Sequence, residues 1–298
     1  MRQVWLLLPL LLLAACDSEV EVKYEVKEPV KMELYSEGYF ATVDLEGTER
    51  MGTITATYLD IEFSQNGDTL GYTRHYQIDK SRGYLKNYMP SELVWRIGSV
   101  SLKALDRKVL SVEGLDKYDS LLKAIPMPAR WRDQLLNPEY ADHLLRAEKH
   151  RWEMTHILAG KLPSKANVTE LLRGAGRLNF ALISIDSVVT EGFENLDHRH
   201  CLAYSVYLRE RESFPYYIWE QHVNSNIVPK EFQKYNKGLS AEYETRYRVA
   251  LDPETGILCQ EHEFKQGVHT MVNAETGDTA TFRSNVSHER LYTFPEAS

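Results

Sequence analysis

The chain lacks the patterns by which an enzyme is usually recognised. It has no His-Glu-x-x-His, no Gly-x-Ser-x-Gly, no phosphate-loop glycine pattern and no Gly-x-Gly-x-x-Gly. Zinc-protease, serine-hydrolase and nucleotide-binding chemistry therefore have no motif to rest on. It also lacks an excess of positive charge: 35 Lys and Arg stand against 43 Asp and Glu, a formal net charge of −8. That balance argues against a broad phosphate-binding surface and so against nucleic acid as a partner. After the N-terminal fifteen residues there is no second long apolar run, and a transmembrane helix needs about 20 such residues. The centre of the chain has no Pro/Gly/Ser-rich linker, which favours one continuous body over two domains. Hydrophobic residues are 43% and charged residues 26% of the chain, ordinary usage for a folded core rather than for disorder.

What the chain does have begins at Met1-Arg2, followed by an apolar stretch from Val4 to Ala15. A basic start, a short hydrophobic core and small residues before a break describe an export signal. Leu13-Ala14-Ala15-Cys16 resembles the lipobox of bacterial lipoproteins. The resemblance implies a leader over 1–15, lipid on Cys16 as the membrane attachment, and a single exported domain over 16–298 facing the periplasm. In enterobacterial lipoproteins an aspartate directly after the lipidated cysteine implies retention at the inner membrane, and Asp17 stands there. With Cys16 lipidated, Cys201 and Cys259 are the only other cysteines. In an oxidising compartment they are either a disulfide or two separate buried thiols.

From Glu19 the chain alternates, with Val20, Val22, Tyr24 and Val26 on one face and charges on the other, the pattern of a half-buried strand. Since this strand starts close behind Cys16, the body is expected near the bilayer. Thr53 to Phe63 is β-rich, and Asn66-Gly67 offers a tight hairpin turn. Leu70, Tyr72, Tyr76 and Ile78 come next with period two, then Leu93, Trp95 and Ile97, Val100 and Leu102, and Leu110 and Val112. Residues 18–114 thus read as an antiparallel meander.

Over 115–174 the period changes to that of helices. Leu115, Tyr118, Leu121, Leu122 and Ile125 fit a short helix ended by Pro126 and Pro128. Asn137-Pro138 supplies an N-cap and a first-turn proline for a second, striped by Ala141, Leu144, Leu145, Glu148 and Trp152 and running to about Leu158. Asn167-Val168-Thr169-Glu170 reads as a capping box for a third, closed by Gly174. Strands return over 175–298. Leu178 to Val189 is apolar on both faces, as in a central strand. Leu202, Tyr204, Val206 and Leu208 alternate, and Tyr243, Thr245, Tyr247, Val249 and Leu251 oppose Glu244, Arg246 and Arg248. Asp252-Pro253-Glu254-Thr255-Gly256 and Asn273-Ala274-Glu275-Thr276-Gly277 are turns between neighbouring strands.

The fold expected is mainly β (α+β): a curved antiparallel sheet or incomplete barrel in two meander halves, with a central helical segment packed over it. Strands, helices after Val112-Glu113-Gly114, and strands again with Asp-Pro-Glu-Thr-Gly hairpins resemble, in element order, the LolA/LolB-type half-barrel proteins of the envelope. That likeness implies a cupped sheet lidded by helices and holding acyl chains.

The cupped sheet suggests its own candidate site residues. Tyr204, Val206, Tyr243, Tyr247 and Val249 would form a ligand face under a lid carrying Leu144, Leu145 and Trp152, or else a closed core. Phe214, Tyr216, Tyr217 and Trp219 form the densest aromatic run, suited to a partner-binding rim or to plain strand packing. His198 and His200, two apart on an extended strand, are the weak candidates for a metal, with His262 or His269 as the third ligand it would need. His143, His150 and His156 have no three- or four-residue spacing and form no histidine face. Asn167-Val168-Thr169 and Asn285-Val286-Ser287 match the glycosylation sequon, idle in a bacterial lipoprotein. No cofactor and no catalytic residue is expected. The partners expected are the membrane and either a hydrophobic ligand or an envelope protein.

Overall fold

A computed structural model describes residues 18–43, 49–76, 100–114, 138–180, 183–214, 237–273 and 275–295. The leader with Cys16, the helix expected over 115–125, Ile78, the segment with Leu93, Trp95 and Ile97, and the aromatics Tyr216, Tyr217 and Trp219 lie outside the described residues.

The chain is mainly β. Its strands are β1 Glu19–Val22, β2 Val30–Val43, β3 Glu49–Asn66, β4 Thr69–Tyr76, β5 Val100–Leu105, β6 Lys108–Glu113, β7 Gly160–Pro163, β8 Lys165–Asn167, β9 Ile183–Leu196, β10 Arg199–Phe214, β11 Lys237–Leu251, β12 Leu258–Val272 and β13 Thr279–Thr293. Helix α1 spans Pro138–Thr155 and α2 Thr169–Gly174. Eleven strands form one sheet in the order β6-β5-β4-β3-β2-β13-β12-β11-β10-β9-β8, every pair antiparallel. The two meanders fuse where β2 pairs with β13, Tyr35 opposite Leu291. Strands β6 and β8 are the edges and, among the described residues, do not pair, so the sheet is an open half-barrel. It curls strongly: Phe63 and Leu102 from one half share a buried cluster with Val188, Leu202 and Val249 from the other.

Alternation explains most of these strands. Tyr204 and Val206 of β10 and Tyr247 and Val249 of β11 all face the concave side and are buried. The hairpin between β3 and β4 closes at Gly67-Asp68, because Asn66 is paired with Thr69. Only Gly67 has positive φ there, +59°, the arrangement of a type II′ turn rather than one centred on Asn66-Gly67. The turn after β11 is as read: Gly256 has φ +72°, and a Cβ there would lie 2.1 Å from the Tyr24 ring.

Other elements depart from the sequence reading. The first strand stops at Val22 and pairs with β7, outside the main sheet. The sheet segment read over Leu178–Val189 begins at Ile183 and lies next to an edge, not at the centre. Its apolar residues fall in both phases because register shifts opposite Ala203/Tyr204 and Tyr207/Leu208 leave Glu191 and Asp186 without a partner on β10 and re-aim the residues beyond them. Helix α1 ends at Thr155 rather than near Leu158. At α2 there is no capping box: the N-cap is Val168, and Asn167 Oδ1 accepts from Thr169 N and Oγ1 at 3.0 and 2.6 Å. That is a side-chain turn, which competes with capping.

Candidate functional site: the seam between α1 and the sheet

The stripe that sequence assigned to α1 is its buried face from Leu145 onward: Leu145 is half-buried, and Glu148, Trp152 and Thr155 are buried. The side chain of Leu144 lies outside the described residues. The C-terminal half of the helix covers the apolar part of the cup. Trp152 lies against Phe63 and Tyr72, with ring centroids 5.9 Å away in each case, and Tyr204 Oη donates to Thr155 O at 2.5 Å. Past the helix end, His156 stacks on Trp152 at 3.8 Å and is fully buried. Because the Trp152 carbonyl can only accept, the 3.0 Å contact places the His156 proton on Nδ1. Burial, only partly offset by that bond, lowers the imidazole to about 4.

The same half of α1 also meets charge, through Glu148, His150 and Arg151. Strand β12 turns Glu261, Glu263 and Lys265 inward. Arg151 reaches across from the helix, donating Nε to Glu261 Oε2 at 2.9 Å and Nη2 to Glu261 Oε1 and Tyr292 Oη. Tyr292 donates to Glu261, and Arg290 stands 3.3 Å from the same carboxylate. Glu263 accepts from Tyr247 Oη at 2.8 Å and lies 3.1 Å from Lys265 and 3.3 Å from His288. Glu210 on β10 takes His150 of the helix at 2.8 Å and Lys265 at 3.0 Å. Arg74 on β4 is 3.2 Å from Glu148.

Burial pushes the Glu261 carboxyl up, but Arg151 and Arg290, with hydrogen bonds from Arg151 and Tyr292, overcome it and hold the group at about 2. Glu263 and Glu210 are lowered in the same way, against burial, by Lys265 and His288 and by His150 and Lys265. Glu148 is raised by burial, against the pull of Arg151 and Arg290. These groups form a pinned ionic layer whose three lowered carboxyls are anions at neutral pH, suited to fixing the helix on the sheet. A cavity of about 20 Å³ lies beneath Arg151 and Trp152, between Phe63, Tyr72, Arg74 and Tyr292, room for about one water.

The residues named from sequence divide accordingly. Tyr204, Val206, Tyr247 and Val249 meet in the core with Trp152. Tyr243 is buried further along β11, edge-on to His269 at 5.6 Å. Phe214 ends β10, its side chain outside the described residues. His198 and His200 do not share a strand face: His198 sits in the β9–β10 turn at φ +64°, while His200 stacks on Phe193 and bonds Asn195. His262 is exposed beside Ser287 and His269 buried beside Ser284, and these lie on opposite faces of β12. Among the described residues no three His, Cys, Asp or Glu side chains converge as a metal site. Cys201 and Cys259 are joined by a disulfide that spans β11 over Ala250.

Sequence reading missed Glu261, Glu263, Arg290 and Tyr292, because alternating charges on a strand look like its wet face, and missed Arg151 because an arginine on a helix carries no mark of burial. The available signal was the other phase of the sheet, where Phe264, Val268 and Leu291 point outward and are 39, 45 and 37% exposed. No helix among the described residues is long and apolar enough to cross a membrane. The architecture is that of an open antiparallel half-barrel filled by its own helix. No protein-family model matches the chain, and no curated protein is significantly similar to it.

Proposed function

We propose that this chain is a lipid-anchored lipoprotein of the bacterial envelope, acting as an interaction module for an envelope protein rather than as a carrier of acyl chains. The observation that supports the choice is the filled concave face. Trp152 and the Arg151–Glu261–Tyr292 layer occupy the place where a lipid would lie, and the cavity beneath them admits about one water. An acyl chain would have to displace ion pairs as well as apolar contacts. The partner is met on the outer face, where Tyr207, Phe264, Val268 and Leu291 are exposed beside Arg246 and Arg248, a mixture of aromatic and arginine contacts common at interfaces.

Two measurements test this reading. Protein lacking residues 1–16 should show no saturable uptake of a fluorescent long-chain fatty acid, and saturable uptake would replace the module with a carrier. A photo-crosslinking residue in place of Phe264, in cells, should yield one discrete adduct with an envelope protein. The same probe at Glu254, in the β11–β12 turn, should not, and equal labelling at both positions would reject the outer face as the contact.

A further inference from the structure

We infer that the corner formed by Ser18, Lys161 and Lys165 rests on the phospholipid headgroups, giving the body one fixed orientation on the membrane. The inference rests on the reading of Cys16 as the lipidated residue. Its geometric part is independent of that reading, because the chain from Ser18 onward is tied into the fold. Ser164 N donates to Ser18 O at 2.9 Å, and the two hydroxyls are 2.8 Å apart. Next, β1 pairs with β7 from Glu19 opposite Pro163 to Val22 opposite Gly160. Lys23 N then donates to Pro253 O at 2.7 Å, Tyr24 Oη to Leu158 O, and Val26 N to Gln65 Oε1 at 2.6 Å. Val20, Val22 and Val26 are buried, so freeing this segment would expose three apolar side chains and break its pairing.

A fully extended chain gains at most about 3.6 Å per residue. Cys16 is two positions before Ser18, so its Cα lies within roughly 7 Å of that of Ser18, and the lipid it carries enters the bilayer close beside the Ser18 corner. No flexible spacer of useful length lies between lipid and body, and the surface around Ser18 has to meet headgroups. That surface carries Lys161 and Lys165, both exposed, one on each side of Ser164 along the chain. No ion pair joins either to another described residue. Glu21 on β1 stands opposite Lys161 and is bound to Lys23 at 3.1 Å, with Glu19 two positions before it, and Glu191 on β9 stands opposite Lys165 and is bound to Arg246 and Arg248. The patch is therefore near neutral in sum and offers two ammonium groups to lipid phosphates, which the short tether brings into range.

The test uses the full-length, lipidated protein in vesicles of phosphatidylethanolamine and phosphatidylglycerol containing a headgroup nitroxide. With Cys201 and Cys259 bonded and Cys16 carrying lipid, an introduced cysteine is the reactive thiol. A fluorophore on Lys165→Cys, and separately on Lys161→Cys, should be quenched several-fold more than one on Val268→Cys, which lies on the outer face far along β12. Inserting a long Gly/Ser spacer between Asp17 and Ser18 should abolish the difference while the protein still floats with the vesicles. Equal quenching at the three positions, in protein that floats, overturns the inference and leaves the lipoprotein reading standing. Protein that does not float and has no acyl mass on Cys16 overturns that reading, and this one with it.

Discussion

Stacked on Trp152 and closed off from solvent, the His156 imidazole is disfavoured as a cation in the folded chain. Its folded value is about 4 against 6.5 for the free group. Between these values the unfolded chain binds the extra proton, so the stability associated with neutral His156 is complete above 6.5 and drains away as pH falls toward 4. The full amount is about 3 kcal/mol at ~1.4 kcal/mol per unit. In His156→Phe, which keeps an aromatic ring in place, the urea midpoint should depend distinctly less on pH across that window. An unchanged slope would show that the ring titrates freely. Glu261 acts in a lower window: its folded value of about 2 lies below the ordinary 4.5, so its contribution is complete above 4.5 and lost as pH falls through 2. Arg151 is the residue on which that carboxylate most depends. Arg151→Met should cost about 3 kcal/mol, because it takes the more strongly bound of two guanidiniums from a buried carboxylate and leaves Arg290 and Tyr292 to hold it. Adding Glu261→Gln should restore a substantial part of the loss, and equilibrium unfolding of both variants reads the difference. If the double variant is as unstable as the single one, the cost lies in packing rather than in charge.

The helix end is set by a partner distant in sequence. Arg177, between α2 and β9, donates Nε to Ile157 O at 2.6 Å and Nη2 to His156 O at 2.9 Å, while holding Asp106 of the β5–β6 turn through both oxygens at 2.6 and 2.9 Å. One guanidinium thereby takes the carbonyls that leave α1 and fastens the β6 side of the half-barrel to the β8–β9 side. Arg177→Ala should cost about 2–4 kcal/mol, as a hydrogen bond to a charged group contributes about 1.5–3 kcal/mol net of exchange with water and the bonds of one guanidinium are not additive. Amide exchange should accelerate first in the last turn of α1 and in the β5–β6 turn. Unaltered exchange there would mean the helix holds its end without the clasp. This is also why elements were legible unequally. The two-residue period of β10 and β11 and the loop after Leu251 depend on local pattern, and both were readable. The carbonyls just past Thr155 are met by Arg177, about twenty residues on, and the re-phasing of β9 goes with bulges against β10, neither of which leaves a periodic mark. Strand β12 left no face to read, because a layer of ion pairs inside and Phe264 outside invert the usual polarity of the two faces.

At the scale of the molecule, β2 pairs with β13, so the sheet is completed only when the first and last long strands meet. The core draws on both meanders at once: Trp152 joins Phe63 and Tyr72 of one half to Tyr204 and Val249 of the other. The mainly β architecture was legible because it rests on the order of elements, which pattern carries. Whether the cup would be open was not, since that depends on how α1 lies across it. A sheet continuous across both halves should melt as a unit, and the disulfide offers a way to ask. Cys201 and Cys259 are 58 residues apart in sequence, a loop whose closure contributes about 4 kcal/mol in the chain-entropy model, with measured values commonly lower. The double variant Cys201→Ala/Cys259→Ala should therefore lower the urea midpoint. If the halves are one cooperative body, secondary-structure and tertiary signals should shift together and remain a single transition, although both cysteines lie in the C-terminal meander. A C-terminal transition that separates from an unmoved N-terminal one would divide the chain into two domains.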